Sequence, residues 1–208
     1  IYGLTKGQYS PTSEQGKVTK STPLGSLDTP FNPISLAIGA EASFVARTID
    51  SDRKHLTEVL RAATAHKGSA LIEIYQNCPI FNDDAYDAVK NPEKKGAAIL
   101  ELIDGQPIKS NKYAVVKKDL GFAVVDLDSV NESDIVIHDS KNLDPSYAFA
   151  LSRLSGSSLE HVPVGVFRDV ERAGYTSLVH GQIEEVIASK GAGNLEKLLS
   201  SGDTWEVK

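Results

Sequence analysis

Two stretches of this 208-residue chain gather side chains that could do chemistry. The first is Ile1-Tyr2-Gly3-Leu4-Thr5-Lys6-Gly7-Gln8-Tyr9-Ser10-Pro11-Thr12, where an apolar pair gives way to a loop released by Gly3 and Gly7. Thr5, Lys6, Gln8, Ser10 and Thr12 are neutral or cationic hydrogen-bonding groups, with no acid among them. At the carboxyl end of a parallel strand such donors suit a phosphorylated ligand, because open α/β sheets bind ligands in that crevice. The same make-up also describes an ordinary surface loop. The second stretch is Gln76-Asn77-Cys78-Pro79-Ile80-Phe81-Asn82, which holds the only cysteine. By type alone a lone cysteine is a small buried hydrophobe. Lys54, within Arg53-Lys54-His55, reads either as a solvated helix start or as a point charge for a phosphate.

Other candidates lack the spacing their chemistry needs. His55, His66, His138, His161 and His180 show no HExxH pattern and no close pairing, so zinc chemistry is not indicated. Gly191-Ala192-Gly193 lacks the third glycine of a dinucleotide fingerprint and ends a helix. Asp83-Asp84 and Asp126–Asp128 lack the glycine and glutamate of a calcium loop. Arg168, Glu171 and Arg172 read as ion-pair or subunit-contact residues. The net charge of −6 gives no nucleic-acid footprint. No apolar run reaches membrane-spanning length, and one cysteine makes no internal disulfide, so the cytoplasm is the expected compartment. The absence of methionine and the strand-like opening create the expectation that residues are missing upstream.

The elements that would position these residues follow from periodicity. Residues 13–33 form a long Ser/Thr/Gly/Pro-rich stretch, expected to be an ordered loop. Asn32 caps and Pro33 opens a helix over 34–42. Phe44–Thr48 is a buried strand, and Asp52 caps a helix Arg53–His66 with the stripe Leu56, Val59, Leu60, Ala63. Leu71–Tyr75 is the next strand, expected to pair in parallel. Short helices are expected near Asp83–Val89 and after Pro92. Tyr113–Lys117 and Phe122–Leu127 flank a hairpin turn, and Ile135–His138 and Val164–Phe167 read as strands. Helices follow over Asp144–Leu154, Gly174–Ser189 and Leu195–Leu199. A change of texture near Leu102 divides the chain into 1–100 and an appendage, 101–208, suited to subunit contact.

IYGLTKGQYSPT, PFNPISLAIGAEASFVARTIDSDRKHL, ALIEIYQNCPIFND and VGVFRDVERAGY, in this order, resemble the β subunit of 2-oxoacid:ferredoxin oxidoreductases, over nearly the whole chain. The details are most similar to the longer actinobacterial type, usually assigned to 2-oxoglutarate. The resemblance implies an α/β fold: a partial doubly wound parallel sheet of the thiamine-diphosphate-binding kind, with a carboxyl-terminal α+β appendage. It implies thiamine diphosphate held through Mg2+, a 4Fe-4S cluster, an α subunit, ferredoxin, a 2-oxoacid and coenzyme A. By position, the Ile1 main-chain oxygen would ligate Mg2+, beside an Asp and an Asn that this sequence does not contain. Leu4 would face the substrate as an apolar wall, with Thr5 and Gln8 near the diphosphate. Lys6 and Lys54 would meet coenzyme A phosphates or ferredoxin. Cys78 would be the fourth cluster thiolate, its three companions lying upstream. On this reading the chain alone is inactive. Two rivals are a non-catalytic fragment that keeps a docking surface and a thiamine-dependent decarboxylase without ferredoxin chemistry.

Overall fold

The computed structural model describes residues 7–155 and 159–207. Local rules start the first helix. The Asn32 side chain accepts from the Ser35 amide at 3.0 Å, and Pro33 opens α1 (Pro33–Gly39). The Asn32 amide group also donates to the Ser152 carbonyl at 2.8 Å, which fastens α1 to α5 (Pro145–Ser152). After α1 comes β1 (Phe44–Ile49), whose six residues are all buried. The Asp52 carboxylate accepts from the His55 amide and caps α2 (Arg53–Ala65), which leads into β2 (Ala70–Tyr75). Two one-turn helices, α3 (Asp87–Lys90) and α4 (Lys95–Ala98), precede β3 (Ile99–Leu102). A hairpin, β4 (Tyr113–Lys118) and β5 (Gly121–Asp126), turns at Asp119-Leu120, and β6 (Val162–Asp169) follows α5. Helices α6 (Tyr175–Lys190) and α7 (Leu195–Leu199) end the described chain.

The four-stranded sheet has the order β2-β1-β6-β3. The expected parallel pairing holds for β1 with β2, in register from Phe44↔Ala70 to Ile49↔Tyr75, and β3 also runs parallel to β6. The α/β class is therefore borne out. The sheet is mixed, because β6 lies antiparallel to β1. Its core is formed by Ile34, Ile38, Val45, Leu100, Leu151 and Phe167, packed between the sheet and α1 and α5.

Residues 13–33 form the ordered loop expected of them. Gly16 donates to the Ser26 carbonyl at 2.8 Å, Ser26 donates to Lys17 at 3.0 Å, and Phe31 donates back to Pro11 at 2.8 Å. Gly25 holds φ +92°, where a Cβ would stand 2.8 Å from the Gly16 oxygen, so only glycine lets the two limbs touch. The Tyr9 hydroxyl donates to Asp28, and that bond holds the phenol above its ordinary pKa.

Two strand readings change. Ile135–His138 makes only isolated bridges, Ile135 to Val116 and Ile137 to Pro107, and β3 stands where no strand was expected. The textural divide at residue 100 does not interrupt the sheet, since β6 sits between β1 and β3. The compact units are Ile1–Arg172 and Ala173–Lys208.

Gly165 lies inside β6 at φ +135°, where an added Cβ would meet the Leu102 carbonyl oxygen at 2.5 Å and its Cβ at 2.8 Å. Gly165→Ala must strain a backbone seated between two strands, at a cost of about 2–4 kcal/mol. The expected result is a lower urea midpoint with an unchanged slope.

Candidate functional site

Parallel pairing places the carboxyl ends of β1 and β2 side by side, and the Asp50 amide extends the ladder to the Tyr75 carbonyl at 3.0 Å. From this edge the chain leaves β1 into α2, which puts Lys54, exposed, in the first turn of that helix. His55 is tied back to the sheet by a 2.8 Å hydrogen bond between its Nδ1 and Thr48 Oγ1. Tyr75 stacks on Tyr86 at 4.6 Å between centroids, and its burial raises the phenol pKa far above its ordinary value. Lys90 of α3 places its ammonium 2.9 Å from Asp50 Oδ1, off the line of a hydrogen bond, so charge alone pairs them.

Three residues beyond β2, Cys78 opens a tight turn closed by a 2.9 Å bond from the Asn82 amide to the Cys78 carbonyl. The backbone amide of Phe81 faces the sulfur and lowers the thiol pKa most. The Ile80 and Asn82 amides add to it, against a small opposing effect of lost water. Next to it, the Asn77 side chain donates to Asp83 at 2.7 Å, while its buried Oδ1 has no partner among the described residues. N–H groups aimed at a sulfur favour thiolate, the form in which cysteine binds metal. As a single ligand to an iron–sulfur centre Cys78 therefore fits. No group of three or more His, Cys, Asp or Glu able to hold a metal exists among the described residues.

The structure thus brings Lys54 and Cys78 to one edge of the sheet. Gln8 is exposed just after Gly7, and among the described residues no hydrogen bond joins it to either. Ile1, Leu4, Thr5 and Lys6 lie outside the described residues.

Sequence reading missed a relay at the other end of β1. His66 Nε2 lies 2.9 Å from Ser43 Oγ, and its Nδ1 lies 2.7 Å from Asp169 Oδ1. Lys141 reaches the other Asp169 oxygen at 2.6 Å. The pattern is that of a Ser-His-Asp triad, but Ser43 is fully buried and Gly68 covers it, with room for no side chain: a Cβ there would fall 2.1 Å from the hydroxyl oxygen. No substrate reaches the hydroxyl, so the relay is a clasp. Its members lie 23 and 103 positions apart, leaving no local signal in the sequence.

The comparisons with known proteins agree on one lineage. Residues 1–74 match the thiamine pyrophosphate enzyme C-terminal TPP-binding domain. The chain is 52% identical over its whole length to the 2-oxoglutarate oxidoreductase subunit KorB of Mycobacterium tuberculosis, covering 57% of that protein. It is 35% identical to the 2-oxoacid:ferredoxin oxidoreductase subunit beta of a Sulfolobus species, over 78% of this chain and 53% of that one. This chain is homologous to the β subunits of 2-oxoacid:ferredoxin oxidoreductases. It spans just over half the length of these relatives. In fold it superposes on a 2-oxoglutarate:ferredoxin oxidoreductase from Magnetococcus marinus with a TM-score of 0.64 at 23% identity, over 98% of this chain and 55% of that one. The edge bearing Lys54 and β2 up to Ile74 falls inside the matched TPP-binding domain, and Cys78 stands four residues beyond it. None of the described helices is long and apolar enough to cross a membrane.

Because the amides lower the Cys78 pKa, thiolate forms at lower pH than in an ordinary cysteine. Alkylation by iodoacetamide should rise with pH along a curve whose midpoint lies below that of a free-cysteine peptide measured in parallel. An equal or higher midpoint would contradict the turn geometry.

Proposed function

We propose that this chain forms the carboxyl-terminal part of the β subunit of a 2-oxoglutarate:ferredoxin oxidoreductase. The observation that carries the reading is the shared edge: a cation, Lys54, and a thiolate-favouring turn at Cys78 stand together at the carboxyl ends of β1 and β2. The TPP-binding match covers the strands that form this edge. The overall reaction converts a 2-oxoacid and coenzyme A to an acyl-coenzyme A and CO2, with two electrons leaving through an iron–sulfur cluster to ferredoxin.

Thiamine diphosphate, when bound, supplies the carbanion stabilisation that decarboxylation needs. The protein supplies position and environment. Leu4 gives an apolar wall that keeps water from the reacting carboxylate, since desolvation favours its loss as CO2. Thr5 and Gln8 donate to the diphosphate, and the Ile1 carbonyl oxygen serves Mg2+ together with an Asp and an Asn from the upstream part of the subunit. Lys6 and Lys54 meet the phosphates of coenzyme A or steer an acidic ferredoxin. Cys78 is one of four thiolates on a 4Fe-4S cluster, with its amide donors tuning the sulfur. Residues 1–100 carry the cofactor wall and 101–208 serve subunit contact, a division of labour within a continuous sheet. An α subunit completes the site, and the enzyme works in the cytoplasm.

The test uses the intact β subunit assembled with its α partner. Cys78→Ala should remove the cluster, seen as loss of iron and of thiolate–iron absorbance, and with it ferredoxin reduction. Full iron content and undiminished ferredoxin reduction in this variant would overturn the reading.

Lys54→Ala separates the two roles of the cation. A phosphate contact predicts a KM for coenzyme A raised about tenfold, the scale of one charge-assisted hydrogen bond. A steering role instead raises the KM for ferredoxin and flattens its dependence on salt. A variant that alters neither removes Lys54 from the site.

A further inference from the structure

Beyond the body of the sheet, α6 carries an apolar stripe that nothing among the described residues of this chain covers. Tyr175, Leu178, Val179, Ile183, Val186 and Ile187 recur three and four residues apart along its 16 residues. Tyr175 is 82% exposed, and Leu178, Ile183, Val186 and Ile187 are each about half exposed. The remaining positions carry Thr176, Ser177, His180, Gly181, Glu184, Glu185, Ala188 and Ser189, all of them polar or small. A helix with such a face is stable in water only when the face is buried against something else.

The charges beside the stripe say what fits. A second α6 can lie parallel or antiparallel to the first. In parallel, the Glu184-Glu185 pairs of the two copies stand at one level, like charge against like. Turned end for end and fully overlapped over about 24 Å, the copies are related by a two-fold axis between Gln182 and Ile183, the middle of the helix. Leu178 then stands level with Ile187 of the other copy, Val179 with Val186, and His180 with Glu185. Glu184 falls opposite Gly181, where no side chain blocks close approach. Acid thus meets imidazole or glycine at every level, and apolar meets apolar at the centre. Antiparallel self-pairing relieves the repulsion and buries the stripe, and two-fold pairing of identical surfaces is the commonest form of assembly.

We propose that α6 is a self-association arm, whose occupant is the α6 of a second copy of this chain in antiparallel register. The inference rests on the helix alone and stands whichever reaction the subunit serves. It is tested in the intact subunit assembled with its partner, carrying Cys78→Ser so that each added cysteine is the single thiol of this chain, with a short bismaleimide as cross-linker. Gln182→Cys, beside the axis, should link to itself and give a doubled chain. Leu178→Cys should not link to itself, but should link to Ile187→Cys when the two variants are mixed. The same three results are expected when Cys78 is kept, with the unsubstituted subunit giving the background. Self-linking of Leu178→Cys as strong as that of Gln182→Cys would mean parallel pairing and overturn the proposal. Links from Gln182→Cys to the partner subunit, or none at all, would overturn it equally.

Discussion

A charge held inside the sheet fixes the rest of the architecture. Arg47 lies in the middle of β1 at 2% exposure, where an unpaired guanidinium could not remain. Its Nε donates to Glu73 of β2 at 2.7 Å, and one terminal nitrogen donates to the Pro163 carbonyl of β6 at 3.1 Å and to Ser155 at 3.2 Å. Its planar head lies 5.0 Å from the Tyr75 ring and 5.3 Å from that of Phe167. One side chain therefore joins three adjacent strands through groups that tolerate only one register. Such a pair adds little net stability over an apolar core, yet removing one partner strands the other and costs about 3–5 kcal/mol. Its effect is on specificity: any slip of β2 against β1 would part Arg47 from Glu73.

That register reaches the site. Once Arg47 holds Thr48-Ile49 level with Ile74-Tyr75, the exits of β1 and β2 are side by side, and the residues that follow each strand share an edge. At the other end the His66 clasp performs the same service, joining the start of β1 at Ser43 to the end of β6 at Asp169. β1 is thus pinned at its amino end by a relay, in its middle by an ion pair, and at its carboxyl end by Thr48 to His55. A rigid strand beneath two mobile-tailed groups, a lysine and a cysteine turn, is what a site with charged ligands requires of its scaffold.

What the sequence made legible follows the range of the interactions. Asn32-Pro33 and Asp52 stop and start helices through bonds three residues long, and both caps form as read. The six-residue apolar run of β1 announces a strand buried on both faces. Residues 135–138 have the right composition for a strand, but their neighbours offer only single bridges, so composition overstated them. β3 was invisible because four residues are too few for a period, and its pairing with β6 spans some sixty positions. The antiparallel return of β6 has the same origin. The site divides likewise: Cys78 and Lys54 were legible through local motif, whereas the amides of Ile80, Phe81 and Asn82 that poise the sulfur depend on turn geometry that no residue type spells out.

The distribution of apolar surface ties the fold to assembly. β2 forms one edge of the sheet, and its run Ala-Leu-Ile-Glu-Ile-Tyr contains neither proline nor lysine, the residues that usually protect an open edge. Around the same side stand Leu24, Leu27 and Ile80, each more than four-fifths exposed. A chain that worked alone would not present an unguarded strand edge beside bare leucines, because both invite adventitious pairing. The fully buried β1 and the clasp show that this chain can seal what it needs to seal. The surfaces it leaves open are therefore best understood as half-interfaces, and they lie on the flank where β2 leads into the Cys78 turn. Closing that flank with protein would also dry the edge that holds Lys54 and Cys78, which strengthens the electrostatic hold of a lysine on a phosphate and of amides on a thiolate. Assembly and chemistry then draw on a single physical cause, the removal of water from the carboxyl edge of the sheet.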